Sequence, residues 1–368
     1  MVSYIHIGHG KTGTSAIQSY LAKARLRLAD LGFDYPEHTS FEVAKKGWVT
    51  AGNGFLCLED DFRVSKPSIF SSETLFHKLS TPGALKSVVD RIDGPVTVIC
   101  YTRDLVDLAT SVWGQRVKRG GETRPLDQFL SEDDSLHYEK LDSMFAIAAE
   151  AGAKLILRNY SRRSDKIVED FLEIILGERA SSLLEAAPLT ATPVNRSLTS
   201  SETAFQAAFN RHFGDGASGF IGDMLVNELP DIPVSKPTMK QETYAALLDR
   251  YGPAIERINR KIDPAEAIRL QDPEEAGDAR EDTGEYRFSP AQLEVLARSI
   301  ASEIRDSGLV HDDGAVLLSV ARKFEAKRRP ALKEAISLLE LAQKARPRGR
   351  VIRDYLAHLV SLRDRGGK

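Results

Sequence analysis

Lys11-Thr12-Gly13-Thr14-Ser15, with Gly10 just before it, carries an ammonium, three hydroxyls and two glycines in six residues. That set is suited to holding an anion. Hydroxyls on Thr12, Thr14 and Ser15 can donate to anionic oxygens, and Lys11 supplies a mobile positive charge. Gly10 and Gly13 let the main chain approach a ligand with no Cβ in the way. A second set lies at Arg103 and Ser111, eight positions apart, or about two helical turns, so both can reach one bound group. The planar fork of an arginine donates two parallel hydrogen bonds and suits a phosphate. Read without function, the first set is a glycine-containing turn with Thr14 or Ser15 capping a helix. The second is then a surface arginine paired with Asp104 or Asp107.

The elements that must position these residues are legible around them. Val2–Ile7 alternates apolar and polar residues as a strand does, and from Ser15 the pattern turns helical, with Ile17, Tyr20, Leu21, Ala24 and Leu28 on one face. Gly32 fits the end of that helix, and Pro36 bars its continuation. A strand, a glycine-rich loop and a helix in succession put an anion at a helix N-terminus, where backbone N–H groups and the helix dipole converge. Gly10-Lys11-Thr12 invites comparison with the phosphate loop of nucleotide kinases, but that loop needs a glycine where Ile5 stands. Ser68–Ser71 and Ala153–Leu157 are further expected strands. Val96–Tyr101 is a nearly all-apolar run suited to a central parallel strand, with Arg103 at its carboxyl end. Helices are expected over 82–90, 167–176, 203–212, 241–262 and 290–304. The fold class is therefore α/β, a mostly parallel sheet flanked by helices, followed by an all-helical C-terminal region.

Composition bounds the rest. The 368 residues, 42% hydrophobic and 28% charged, are those of an ordinary globular chain, and the net charge of −3 gives no support for a nucleic-acid binder. Cys57 and Cys100 lack metal-ligand spacing and cannot build a disulfide framework, which points to a reducing compartment. No run is long and apolar enough for a membrane span, and the first residues lack the pattern of a secretion signal, so a cytoplasmic location is expected. The charged stretch 271–286 reads as a linker or mobile loop. The tail from about residue 312 carries a tetratricopeptide-like helical hairpin around 334–342 and 356–357, which cannot bury its apolar face alone and is expected to pack on the catalytic region or a protein partner. The expected boundaries are 1–215 for the α/β core, 216–310 for a helical region covering the acceptor side, and 311–368 for the extension.

The two anion-binding sets, in this order, resemble the family of sulfotransferases that use 3′-phosphoadenosine 5′-phosphosulfate (PAPS), specifically its bacterial members. The 5′-phosphosulfate loop of that family has Lys, Ser or Thr, Gly, Thr, and Ser or Thr after the first strand, and residues 11–15 match at each place. The resemblance implies a P-loop NTPase-like sulfotransferase fold, PAPS as donor co-substrate and no metal. It places Gly10 to Ser15 around the 5′ end of the donor, with Lys11 on the oxygen bridging sulfur and phosphorus. Arg103 and Ser111 would hold the 3′-phosphate, and Tyr160, in Leu157-Arg158-Asn159-Tyr160, would approach the adenine. Phe171-Leu172 and Asn195-Arg196-Ser197-Leu198 are also similar to bacterial members, and the likeness covers residues 2 to about 215. The chain departs from the pattern in carrying Ala16 where many eukaryotic members have a tryptophan, and in lacking an Arg-Lys-Gly segment near its C-terminus.

In-line sulfuryl transfer asks for aligned acceptor and leaving oxygens and for a base to take the acceptor proton. Glu73, in Ser71-Ser72-Glu73 at a strand end, is the expected base; its alternative role is to cap the helix containing Leu75, with Ser72 before it like an N-cap. His38, Glu37 and Glu42 compete for the role, while His6 suits strand packing and His9 loop shaping. Asn53 and His38 are expected on the acceptor side. The resemblance implies a carbohydrate or glycolipid hydroxyl as acceptor. Two other functions are compatible with parts of the pattern: a small-molecule kinase using ATP and magnesium, and a non-enzymatic scaffold recruiting a partner through the C-terminal helices.

Overall fold

The computed structural model describes residues 2–46, 50–189, 196–214, 221–234, 237–270, 288–306, 318, 332–347 and 349–365. Four strands, β1 (Ser3–Gly8), β2 (Ile69–Ser72), β3 (Val96–Thr102) and β4 (Lys154–Asn159), form a parallel sheet in the order β2-β1-β3-β4. Ile5 stands opposite Phe70 on one side and Val98 on the other. Every residue of β3 is buried, as its nearly all-apolar run requires of an inner strand. The expectation of an α/β chain with a parallel sheet is met.

Helices α1 (Thr14–Lys23), α2 (Leu105–Arg119), α3 (Tyr138–Glu150), α4 (Ile167–Leu176) and α5 (Gln241–Asn259) are its main flanking elements. Side chains alternate across the sheet with a period of two. Ile5, Ile7, Phe70, Val98 and Cys100 join a core with residues of α3 and α5, while Ile69, Ile99 and Tyr101 pack with α1 and α4. The helix expected from Ser15 to Leu28 breaks at Ala24 and resumes over Arg25–Asp30. Gly32, at φ 87°, then ends it: Gly32 N–H donates to Ala29 O and Phe33 N–H to Leu28 O, the paired bonds of a left-handed helix terminus.

Strand order fixes where the connections of the sheet part. The connection after β1 leads to one side, to β2, and the next returns past β1 to β3. The carboxyl ends of β1 and β3 therefore diverge at the reversal point of the sheet, the place where open parallel sheets bind ligands.

The chain divides into two compact units, 1–114 with 124–196 and 235–283, and 115–123 with 197–234 and 284–368. The sheet lies in the first, and so does α5, within the region 216–310 that the sequence assigns to a separate cover. Among the described residues, the second unit is mostly helical. Its helix Ser200–Phe213 opens with a reciprocal cap between Thr199 and Glu202, and buried Glu202 also accepts from Gln292 Nε2 at 2.8 Å. Ile221, Leu225, Val295 and Leu296 form one small core of this unit. The hairpin Leu332–Ala345 and Arg350–Arg365 forms another around Ala335, Leu339, Ala342, Ile352 and Leu359. The stretch expected as a linker, 271–286, and Asn195 lie outside the described residues. No helix among the described residues is long and apolar enough to cross a membrane.

Candidate functional site

The loop between β1 and α1 has an unusual backbone. Gly10 (φ 105°) and Gly13 (φ 76°) are left-handed, and so is Lys11 (φ 55°), a conformation uncommon outside glycine. Gly13 is the N-cap of α1 and has no side chain with which to cap it. Ala16 and Ile17 N–H both donate to Gly13 O, so the N–H groups of Thr14 and Ser15 in the first turn have no acceptor one turn back. Gly8 sits under the hydroxyls: a Cβ there would lie 2.7 Å from Thr14 Oγ1 and 3.3 Å from Thr12 Oγ1. Both threonines are buried, and neither hydroxyl oxygen has a hydrogen-bond partner among the described residues. Two converging, dry hydroxyls beside an open helix start fit an anionic oxygen cluster.

His9 anchors this loop to the neighbouring strand. Its Nδ1 lies 3.0 Å from Thr102 Oγ1 at the end of β3, and its ring packs edge-on to Phe76 and Tyr138. Burial pushes its pKa down to about 3, so the imidazole is neutral and acts as a strut.

Arg103, just past β3, is brought to the same place by Tyr160. The guanidinium carbon lies 4.5 Å from the centre of the Tyr160 ring, a cation–π contact. The same ring crosses Gly13, where a Cβ would fall 2.8 Å from Tyr160 Cε2. Gly13, Tyr160 and Arg103, picked from three separate parts of the sequence, thus form one continuous wall. The backbone of Arg103 is fixed by Tyr138, whose hydroxyl donates to Arg103 O at 2.8 Å. Ser111 lies half-buried two turns into α2.

Glu73 follows β2 on the other side of the loop. Its carboxylate Oε1 is 3.9 Å from where a Cβ of Gly10 would be. The capping alternative does not describe it: the short helix Leu75–Leu79 starts after Thr74, and Thr74 N–H is the group that donates to Ser72 Oγ. The other expected bases sit in other surroundings. Glu37 pairs with Arg25 at 2.8 Å and Glu42 with Lys45 at 3.2 Å. His38 is buried among Tyr35, Phe41 and Phe55 with Nδ1 on Ser40 Oγ, and burial lowers its pKa. Asn53 uses its amide on the edge of β2: Oδ1 accepts from Ser71 N–H at 2.8 Å, and Nδ2 donates to Ile69 O at 3.0 Å. His6 pairs with Ser71 Oγ inside the sheet.

Two features escape a reading of local sequence. His77 and His137 stack edge to face with ring centres 4.8 Å apart, and burial lowers the pKa of both. The segment 263–270 is the other. Its buried Glu266 accepts from the backbone N–H of Asn159 at 2.8 Å and pairs with Arg158 at 3.1 Å and with Arg163. Desolvation alone would raise the Glu266 pKa, but the hydrogen bonds from Arg163 and Asn159 and the two guanidinium charges outweigh it and hold it below the ordinary value.

Against known proteins, the chain matches no family model, no curated sequence and no solved structure.

Proposed function

We propose that this protein transfers a sulfuryl group from PAPS to an acceptor hydroxyl, of the carbohydrate or glycolipid class, on a P-loop-like sulfotransferase fold. The observation that carries the proposal is the single wall formed by Gly13, Tyr160 and Arg103 beside the unpartnered hydroxyls of Thr12 and Thr14. It offers an anion loop, an aromatic face and a guanidinium in succession, matching a nucleotide with phosphates at both ends of its ribose.

In this scheme Thr12, Thr14, Ser15 and the start of α1 hold the 5′-phosphosulfate, and Lys11 stabilises charge on the oxygen that leaves sulfur. Arg103 and Ser111 hold the 3′-phosphate, with Tyr160 along the nucleoside. The acceptor oxygen bonds to sulfur as the bond from sulfur to the bridging oxygen breaks, and that electron pair stays on the departing 5′-phosphate. Glu73 takes the acceptor proton. A carboxylate beside Gly10 stands next to the reacting group without occupying the anion loop.

A magnesium-dependent kinase would use a carboxylate at the end of β3 for its metal. Asp104 is the carboxylate there, and its Oδ1 is committed, accepting from Asn159 Nδ2 at 2.7 Å and from Arg269 N–H at 2.9 Å.

Calorimetric titration with adenosine 3′,5′-bisphosphate, beside ATP with magnesium, tests the proposal. The bisphosphate is expected to bind without metal, and Arg103→Ala to weaken it by about 2 kcal/mol, roughly thirtyfold, the scale of a charge-assisted contact. Binding of ATP–magnesium in its place would establish the kinase, and binding of neither nucleotide would point to the scaffold.

A further inference from the structure

We infer that Glu266 is a positioning residue for the donor site, and that the segment 263–270 is a strap that sets the distance between Arg103 and Tyr160. The inference rests on the nucleotide reading above. After α5 the chain turns at Pro264–Glu266, with Asp263 Oδ1 accepting from Ala265 N–H, and then runs extended past the ends of β4 and β3. Asn259, the last residue of α5, clamps the strap with both atoms of its amide: Nδ2 donates to Ile268 O at 2.9 Å, and Oδ1 accepts from Ile268 N–H at 2.8 Å.

What the strap grips are the residues next to the two ligand-facing side chains. At β4, Glu266 accepts from Asn159 N–H, one residue before Tyr160, while Arg162 donates to the carbonyls of Ala265 and Ala267 two residues after it. At β3, Arg269 N–H donates to Asp104 Oδ1, and Leu105 N–H donates to Arg269 O at 3.3 Å. Cross-ties close the frame: Asn159 Nδ2 donates to both Asp104 Oδ1 and Ala267 O, and Asp104 N–H donates to Ser161 Oγ at 3.1 Å. Asp104, Asn159 and Glu266 are all buried. Glu266 also neutralises Arg158 and Arg163, while the Arg103 guanidinium stacks on Tyr160 beside the loop.

The consequence is specific to one end of the ligand. Loosening the strap should move Arg103 away from Tyr160, whose ring stays seated on Gly13, and leave the anion loop, which hangs from β1 and His9, where it is. Two probes separate these parts. Adenosine 5′-phosphate reports the loop and the nucleoside, and adenosine 3′,5′-bisphosphate adds the 3′-phosphate, so the ratio of their dissociation constants measures what Arg103 and Ser111 contribute.

Titrating the full chain with both, we expect Glu266→Gln to shrink that ratio about tenfold, the scale of leaving a buried charged partner unmatched, with the 5′-phosphate constant within about twofold of wild type. Ser161→Ala, which removes only the hydroxyl that receives Asp104 N–H, is expected to shrink it severalfold and serves if the first variant does not fold. An unchanged ratio, or an equal loss on both probes, overturns the positioning role. A wild-type chain that gains nothing from the 3′-phosphate overturns the nucleotide reading itself, an outcome distinct from failure of the strap alone, in which wild type keeps its gain.

Discussion

A buried hydroxyl with no partner costs a folded protein roughly 1–3 kcal/mol, and Thr12 and Thr14 place two of them within one turn of the same loop. A cost of that kind persists when the group meets a ligand the chain itself does not contain. The same argument gives a prediction with opposite signs in two measurements. Valine keeps the branched shape of threonine and removes the oxygen. Thr12→Val or Thr14→Val is therefore expected to melt at or above the wild-type temperature and to bind adenosine 3′,5′-bisphosphate more weakly by about 1.5–3 kcal/mol, one lost hydrogen bond to a charged group. Lower melting with unchanged affinity would assign the hydroxyls to the fold. This site was legible because its residues are neighbours in sequence: a glycine, a lysine and three hydroxyls before a helical pattern determine their own geometry. Glu73 was legible only as a residue at a strand end, since its place beside Gly10 depends on how β2 lies against β1.

Among elements, the sheet is tied towards the carboxyl ends of its strands by neutral histidines. His6 bonds β1 to Ser71 of β2, and His9 bonds the loop after β1 to Thr102 of β3. Burial pushes both pKa values down to about 3, against about 6.5 in an unfolded chain. The sign follows from linkage: below 6.5 the unfolded chain binds protons that the folded chain refuses. Stability from both groups is complete above pH 6.5 and is lost as pH falls from there towards 3, at up to about 1.4 kcal/mol per pH unit for each histidine. Chemical denaturation at pH 7.5, 6.0 and 5.0 should show the loss, and His6→Gln should reduce its slope by about that amount. A slope identical in the variant would mean that carboxylates account for all of it. Element by element, β3 announced itself by a nearly all-apolar run and α4 by its bounds. α3 carried a signal too, Tyr138, Leu141, Met144 and Ala148 at helical spacing, all buried. The break at Ala24 carried none, because nothing in an alanine stops a helix and tertiary packing decides it.

At the scale of the whole molecule, what the sequence could not disclose is contact between distant residues. Glu266 follows Asn159 by 107 positions, and Arg269 follows Asp104 by 165. No periodicity or motif marks either pair, so the strap and the grouping of α5 with the sheet appear only once the chain is folded. The helical hairpin at the C-terminus is the opposite case, since its pattern is local and its two helices share a core, with Leu339 and Leu359 fully buried and Leu318 packed against them. Leu341 and Val351 remain exposed on it. If nucleotide binding belongs to the residues around the sheet, damage to this hairpin should not reach it. Leu339→Ala removes a buried side chain at a cost of about 2–5 kcal/mol. It is expected to lower hydrogen-exchange protection across residues 332–345 and 350–365, while the dissociation constant for adenosine 3′,5′-bisphosphate stays within about twofold of wild type. A large loss of affinity would instead make the second unit part of the binding machinery, and the acceptor-facing role expected of the helices after the core would have to be sought there.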